Sequence, residues 1–499
     1  MELQFHKSEI PYLNTLVREI QNQELTQEVR LTDGAPDIGK VLASWGQLLV
    51  RGKEWRNGSV GVSGGVMVWV LYLPEEGQMP QSVATWLPFQ MKWDIGDSLR
   101  DGTIHVDPII RGVDARSVSA RKLMVRVGIG VLAEASVPAE TEIFEPIDLP
   151  KDVNVLKNTY LLSVPTEAGE KMFSLEENIQ VPQANAQVEK IIRYAVDPEI
   201  TESKVVSDKV VFRGTVGVHI LYLDATGKLN TWHADIPFSQ FAQLDKEYDS
   251  AATASINLVP TNMELEQGED GQLNFKVGLV GQYVIYNAMA VTLPEDAYSN
   301  QRNITPQFGM LNIPARLDSH EQNVPVERSI QTDINQAVDV YFSADHPRLY
   351  REDGAMAGEI SGMFQMLGYD ENGELGSDTL HWDENFTIPA DKDTRVDVTV
   401  RHMAKPYLTS MGDSATIGGE IQMDVAAAMN SGLKMMTGIE MGEMKDLDPQ
   451  RPSLILRRMG EESLWELAKA SGSTVEAIQK ANNLQHEPHE NQMLLIPVV

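Results

Sequence analysis

A block of alternating residues occurs twice in this 499-residue chain, 150 positions apart, and that register constrains the fold more than any motif in it. Val60, Val62, Gly64, Val66, Val68, Val70 and Tyr72 stand opposite Val210, Phe212, Gly214, Val216, Val218, Ile220 and Tyr222. Period-2 alternation sends successive side chains to opposite faces, the pattern of a half-buried strand. Each run ends in Leu-Tyr-Leu and a turn, Pro74-Glu75-Glu76-Gly77 and Asp224-Ala225-Thr226-Gly227. The closing glycine suits the left-handed residue of a hairpin loop. A second strand then ends in Leu87-Pro88-Phe89 or Ile236-Pro237-Phe238.

The register holds elsewhere. Val125-Arg126-Val127-Gly128-Ile129 matches Phe275-Lys276-Val277-Gly278-Leu279, Ser163-Val164-Pro165 matches Asn312-Ile313-Pro314, and Ile38 to Val41 sits opposite Val188 to Ile191. A degraded third copy has its hairpin at Gly368 to Gly373, its second-strand end at Phe386 to Pro389 and a later strand from Ile417 to Met429. The unit is too long for a solenoid repeat. The chain therefore reads as mainly β, with three tandem β-rich domains at 1–160, 161–310 and 311–445. The polar stretches Pro182 to Gln187 and Glu321 to Glu327 read as joints between units, and Ile10 to Ile20 as a short helical run.

Composition narrows the function. Lys and Arg total 41 against 72 Asp and Glu, a formal net charge of −31. A surface that acidic repels nucleic acid and anionic lipid. The absence of cysteine excludes disulfides, thiolate metal sites and cysteine nucleophiles. The first residues lack the pattern of a secretory signal, and no apolar run reaches the roughly 18–20 residues of a membrane span, so no transmembrane segment is expected. The chain reads as soluble and cytosolic. Methionines gather in the third unit (Met403, Met411, Met423, Met429, Met435, Met436, Met441, Met444) and suggest a pliable core there.

The last residues, 451–499, change period. Leu454-Ile455-Leu456 is a short strand, Ser463 an N-cap, Leu464 to Lys469 a helix stopped by Gly472. Thr474 caps a second helix with Val475, Ala477, Ile478 and Ala481 on one face, ended by Asn482-Asn483-Leu484, and Leu494 to Pro497 closes a small α+β (βααβ) module. Its charge is five basic minus six acidic residues, −1, so the body carries nearly all the acidity.

Residues 453–497 resemble a LysM domain: Gly460-Glu461-Glu462-Ser463-Leu464-Trp465, Ala481-Asn482-Asn483-Leu484 and Asn491-Gln492-Met493-Leu494-Leu495-Ile496-Pro497 follow that family's pattern. The first loop departs from it, by one inserted residue after Gly460 or by Glu461 in place of a glycine. Asn491 replaces another family glycine, which asparagine tolerates because it enters the left-handed region readily. The repeated unit, with its Leu-Tyr, glycine turn and Ile-Pro-Phe, resembles the SPOCS domains that stand in tandem before a C-terminal LysM in clostridial spore-coat and cortex morphogenetic proteins. The resemblance implies a scaffold made in the mother cell and placed at the forespore surface. It also implies that the LysM module binds a coat morphogenetic ATPase or another coat protein, with peptidoglycan or chitooligosaccharide as the other candidate. The family's binding positions fall on Glu461, Glu462, Ser463, Leu464, Asn483, Leu484, Gln485 and His486. Trp465 reads as core, being inside the amphipathic helix.

Gly61-Val62-Ser63-Gly64-Gly65 lacks the Lys-Ser/Thr and following helix of a phosphate loop, and a bulge is the simpler reading. His486-Glu487-Pro488-His489-Glu490 carries a proline that spoils helical ligand spacing. Glu266 to Gly271 misses a calcium loop and reads as a hairpin turn. His219 stands where the first copy has Trp69, against a catalytic role. Neither Gly-x-Ser-x-Gly nor His-Glu-x-x-His occurs. The expectation is no catalytic residue, no metal and no cofactor: a structural adaptor, against the alternative of a glycan-binding wall or cortex protein. An enzyme with its site between SPOCS units is the third reading. Open strand edges leave pairing between copies, and so a homo-oligomer, as a further option.

Overall fold

The computed structural model describes residues 3, 5–56, 58–77, 79–96, 101–182, 185–268, 272–352, 354–390, 394–403, 406–411, 414–429, 432–446 and 450–499. Strands account for 77% of the chain and helices for 3%, so the mainly β reading holds.

The first lobe contains β1 (Phe5–Arg30), β2 (Ile38–Arg56), β3 (Gly58–Pro74), β4 (Gln81–Gly96), β5 (Thr103–Ser119) and β6 (Lys122–Pro146). They form two antiparallel sheets, β1-β6-β5 and β2-β3-β4. The alternating valines Val60, Val62, Val66, Val68 and Val70 of β3 share one core with Leu123, Val125, Val127, Ile129 and Val131 of β6. Two sheets that bury facing rows of branched residues make a sandwich. Ile10 to Ile20, expected to be helical, is strand, with Ile10 opposite Thr141 and Ile20 opposite Leu132. Pro11 cannot donate within a helix, and long-range pairing with β6 overrides the local spacing.

The glycine run Gly61 to Gly65 carries no bulge. β3 runs on, and the register break lies in β2 between Val50 and Gly52. A Cβ at Gly64 would stand 2.1 Å from the Leu49 carbonyl oxygen, and one at Gly65 would stand 2.3 Å from the Trp86 ring. These glycines let a neighbouring strand and an indole close on the backbone.

The second lobe contains β7 (Val153–Gln180), β8 (Lys190–Leu223), β9 (Leu229–Tyr248), β10 (Thr253–Gln267) and β11 (Gln272–Ser299). Its sheets, β7-β11-β10 and β8-β9, repeat the order of the first lobe. The repeat reaches single hydrogen bonds. Tyr72 donates its hydroxyl to the Pro36 carbonyl at 3.1 Å, and Tyr222 donates to the Ala186 carbonyl at 2.9 Å. Each tyrosine ties the β-turn arm to the loop that precedes the second strand of its lobe. Pro182 to Gln187, expected as a joint between units, is therefore an internal connection from β7 to β8; of it, residues 183 and 184 lie outside the described residues.

The third lobe follows β12 (Arg302–Leu311) and contains β13 (Arg316–Ile330), β14 (Gln336–Ala344), β15 (Arg348–Glu352), β16 (Ala355–Tyr369), β17 (Leu375–Ile388), β18 (Thr394–Met403), β19 (Tyr407–Met411) and β20 (Ser414–Met429). The order recurs as β13-β20-β18, with β14, β15 and β17 on β16. Glu321 to Glu327, the other expected joint, lies inside β13, with Glu321 opposite Asp424 and Glu327 opposite Gly418. A final strand, β21 (Leu433–Met444), pairs with β12 in a ribbon of its own. Met423, Met435 and Met436 are buried, whereas Met444 is exposed, and the side chains of Met403 and Met411 lie outside the described residues. Positions 160 and 310 fall within β7 and β12.

The lobes pack together. Trp45, Trp69 and Leu71 of the first share a core with Phe212 and Val216 of the second and Leu367 of the third. β3 is thus buried on both faces over its second half, where alternation alone describes one. β7 and β13 also pair, at Arg316 opposite Ser163, which carries one sheet from the second lobe into the third.

The chain ends in β22 (Leu454–Arg458), α1 (Leu464–Ser471), α2 (Val475–Asn482) and β23 (Met493–Pro497), with β22 antiparallel to β23. Leu464, Leu467, Ala468, Ile478, Leu494 and Ile496 form its core.

Candidate functional site

The terminal module is built from capping chemistry legible in the sequence. The Ser463 hydroxyl accepts from the Glu466 amide while Glu466 accepts from the Ser463 amide, a reciprocal capping box at the start of α1. The Glu466 carboxylate accepts from both the amide and the hydroxyl of Ser463, and these bonds hold its pKa below the ordinary range. Gly472 ends α1 in the left-handed region, with φ 65°, and Thr474 caps α2. Asn483 and Asn491 also occupy positive φ, 51° and 67°.

The module is seated on the end of β11. Trp465 donates its indole N–H to Asp296 Oδ2 at 2.8 Å, and Lys469 reaches the same carboxylate at 2.7 Å. Burial pushes the Asp296 pKa up, but the bonds from Lys469 and Trp465 outweigh it and leave the group below the usual range. Tyr298 meets the Trp465 ring edge-on at 4.7 Å and donates its hydroxyl to the Ser473 carbonyl, which Asn300 also reaches. Trp465, expected in the module's core, packs against it and also forms the joint between module and body.

Of the expected binding positions, Glu461, Asn483, Gln485 and His486 are exposed. Glu462 is half-buried and accepts from Arg457 at 2.8 Å. Ser463 serves as the cap, Leu464 is 1% exposed and belongs to the core, and Leu484 packs against that core. The two loops border one core, through Leu464 and Leu484. His486 to Glu490 is irregular backbone, with His489 bonded through its amide to Gln492. The hairpin at Glu266 to Gly271 closes through the Gly268 amide on the Gln272 carbonyl; residues 269–271 lie outside the described residues. His219 stacks near His233 at 4.3 Å, and burial lowers its pKa to about 4. Among the described residues no group of three or more His, Cys, Asp or Glu is placed to share a metal ion. Among them, too, no helix is long and apolar enough to cross a membrane.

A second candidate site had no sequence motif to announce it. Where the three lobes meet there is a cavity of about 220 Å³. Thr15, Arg18 and Glu134 come from the first lobe, Gln282 and Tyr286 from the second, Arg316 and Asp397 from the third. Arg18 bridges Glu134 at 3.1 Å and Asp397 at 2.9 Å, joining first lobe to third. Gln282 exchanges both amide bonds with the Val106 backbone and accepts from Lys53, joining first lobe to second. His105, buried beside Lys53, has its pKa lowered to about 4 by desolvation and by that charge. These residues come from strands far apart in sequence, so periodicity could mark them as outward-facing and no more.

A family model described as SipL, SPOCS domain matches residues 187–266, a stretch covering β8, β9 and nearly all of β10. No curated protein and no solved structure matches the chain.

Proposed function

We propose that this sporulation-related chain is a non-catalytic scaffold of the spore envelope, in which tandem SPOCS-like lobes carry a LysM-like module that docks onto a coat morphogenetic protein, an ATPase of the coat basement or another coat component, at the forespore surface in the mother cell. The family match to residues 187–266 supports the SPOCS part, and the recurring two-sheet order supports extending it to the other lobes. One observation carries the adaptor reading: the module is held on β11 by Trp465, Lys469 and Ser473, while Glu461, Asn483, Gln485 and His486 remain exposed. A rigidly presented surface suits capture of a large partner, since loss of freedom on binding is already reduced.

The test uses the full chain. Immobilised protein is presented with purified coat-basement ATPase, and in parallel titrated with chitohexaose. Retention of the ATPase, lost in the Glu461→Lys, Gln485→Glu double variant with an unchanged melting profile, is the expected result. Saturable sugar binding without ATPase retention would instead assign the module to peptidoglycan.

A further inference from the structure

We infer that the cavity at the junction of the three lobes is a binding site for a small oxyanion, a carboxylate or phosphate, held by Arg316. The inference is independent of the terminal module and of the adaptor reading.

The argument is one of charge pairing. Three of the four carboxylates on the cavity wall hold arginines. Glu134 holds Arg18, and Asp397 holds both Arg18 and Arg395, the latter at 2.8 Å. Asp424 holds Arg401. The fourth, Asp107, lies 3.4 Å from His346, and its Oδ2 is buried without a hydrogen-bond partner. Arg316 lines the same cavity and, among the described residues, has no carboxylate. Its guanidinium lies 3.6 Å from the centroid of the Tyr286 ring. A neutral phenol does not neutralise it, and burial holds Tyr286 protonated by raising its pKa. This half-buried cation stacks on the Tyr286 ring and also bonds that side chain, and its guanidinium meets no carboxylate among the described residues, which leaves donors able to take a planar oxyanion.

Position adds to charge. Arg316 is the residue at which β13 pairs with both β7 and β20, so its backbone is fixed at the joint between second and third lobes. Thr15 and Ser136 of the first lobe, 3.3 Å apart, line the same cavity. An anion seated there would touch all three lobes. Interfaces between lobes of this kind are polar and allow relative motion, so the ligand would also lock the lobes together. A cavity of about 220 Å³ is below the size of drug-like pockets and restricts the ligand to a small molecule.

The experiment follows thermal unfolding of the full chain in malonate or in orthophosphate, with sodium chloride matching the ionic strength. A saturable rise in Tm above the chloride control is expected with at least one of the two, and the arm that responds identifies carboxylate or phosphate. Arg316→Gln removes the rise, and Arg328→Gln, on the far part of β13 and paired with Glu384, retains it. Should Arg316→Gln fail to fold, Arg316→Lys serves. It keeps the charge but loses the fork, and must weaken the response at least severalfold. No rise over chloride with either anion, or an equal rise in the Arg316 variants, overturns the inference.

Discussion

Arg193→Ala removes a side chain that touches all three lobes. Arg193 extends from β8 and is 7% exposed. Its Nη1 donates to Asp339 of β14 at 2.9 Å, and its guanidinium lies 5.0 Å from the ring of Trp45 in β2 and 5.3 Å from that of Tyr341 in β14. Truncating one member of a buried ion pair costs about 3–5 kcal/mol, because the other charge is left uncompensated. Two desolvated cation–π contacts, each worth up to about 2 kcal/mol, push toward the upper end. The Asp339 side chain keeps 20% of its exposure, so water recovers part of its solvation and pushes the other way. The expected cost is about 4 kcal/mol. Urea unfolding followed by tryptophan fluorescence reads it, since Trp45 reports the contact itself. Asp339→Ala should cost about 3 kcal/mol, and the double variant should fall short of the sum by at least about 1 kcal/mol, the coupling of touching residues. Single costs under about 1 kcal/mol, or additivity within about 0.5 kcal/mol, would refute the claim that this side chain locks the lobes.

Three further outcomes follow from the geometry. His105 and His219 are held neutral, with folded pKa values near 4 against 6.5 unfolded. The unfolded chain binds more protons between these values, so stability is full above about pH 6.5 and falls as pH drops toward 4, by roughly 3 kcal/mol per histidine. His105→Gln should flatten that acid limb in pH-dependent urea midpoints, and an unchanged limb would contradict it. Tyr72→Phe and Tyr222→Phe each remove one hydroxyl bond to a loop carbonyl and should cost about 1 kcal/mol, additively, by the same denaturation assay. Asp296→Ala leaves Trp465 and Lys469 without their acceptor. Limited proteolysis should then cut near residue 450 faster, while the module's own helices persist by circular dichroism; an unchanged cleavage rate would show that the seat does not hold the module.

The repeat and the caps were legible because they are local. Period-2 valines, the turn glycines Gly77, Gly227 and Gly373 at positive φ, and the capping residues Ser463, Gly472 and Thr474 impose backbone conformations through nearest neighbours alone. Tyr72 and Tyr222 could be matched as a pair from sequence, although their shared hydrogen bond to a preceding loop needed the coordinates. Ile10 to Ile20 and Glu321 to Glu327 were misread for one reason. Their conformation is set by partners over 90 residues away, β6 and β20, and a strand paired only with distant partners carries a weak local signal.

Sequence by itself determined the mainly β class, the spacing of its repeated unit, and the βααβ module with the loops that border its core. Only the tertiary structure decided that the lobes cluster instead of standing apart, that Trp465 seats the module on Asp296, and that Arg316 lines a cavity where none of the described carboxylates pairs with it. Alternation tells which side chains leave a sheet on each face. It carries no term for what waits beyond that face, because burial between lobes and the pairing of charges across them depend on residues brought together only when the whole chain has folded.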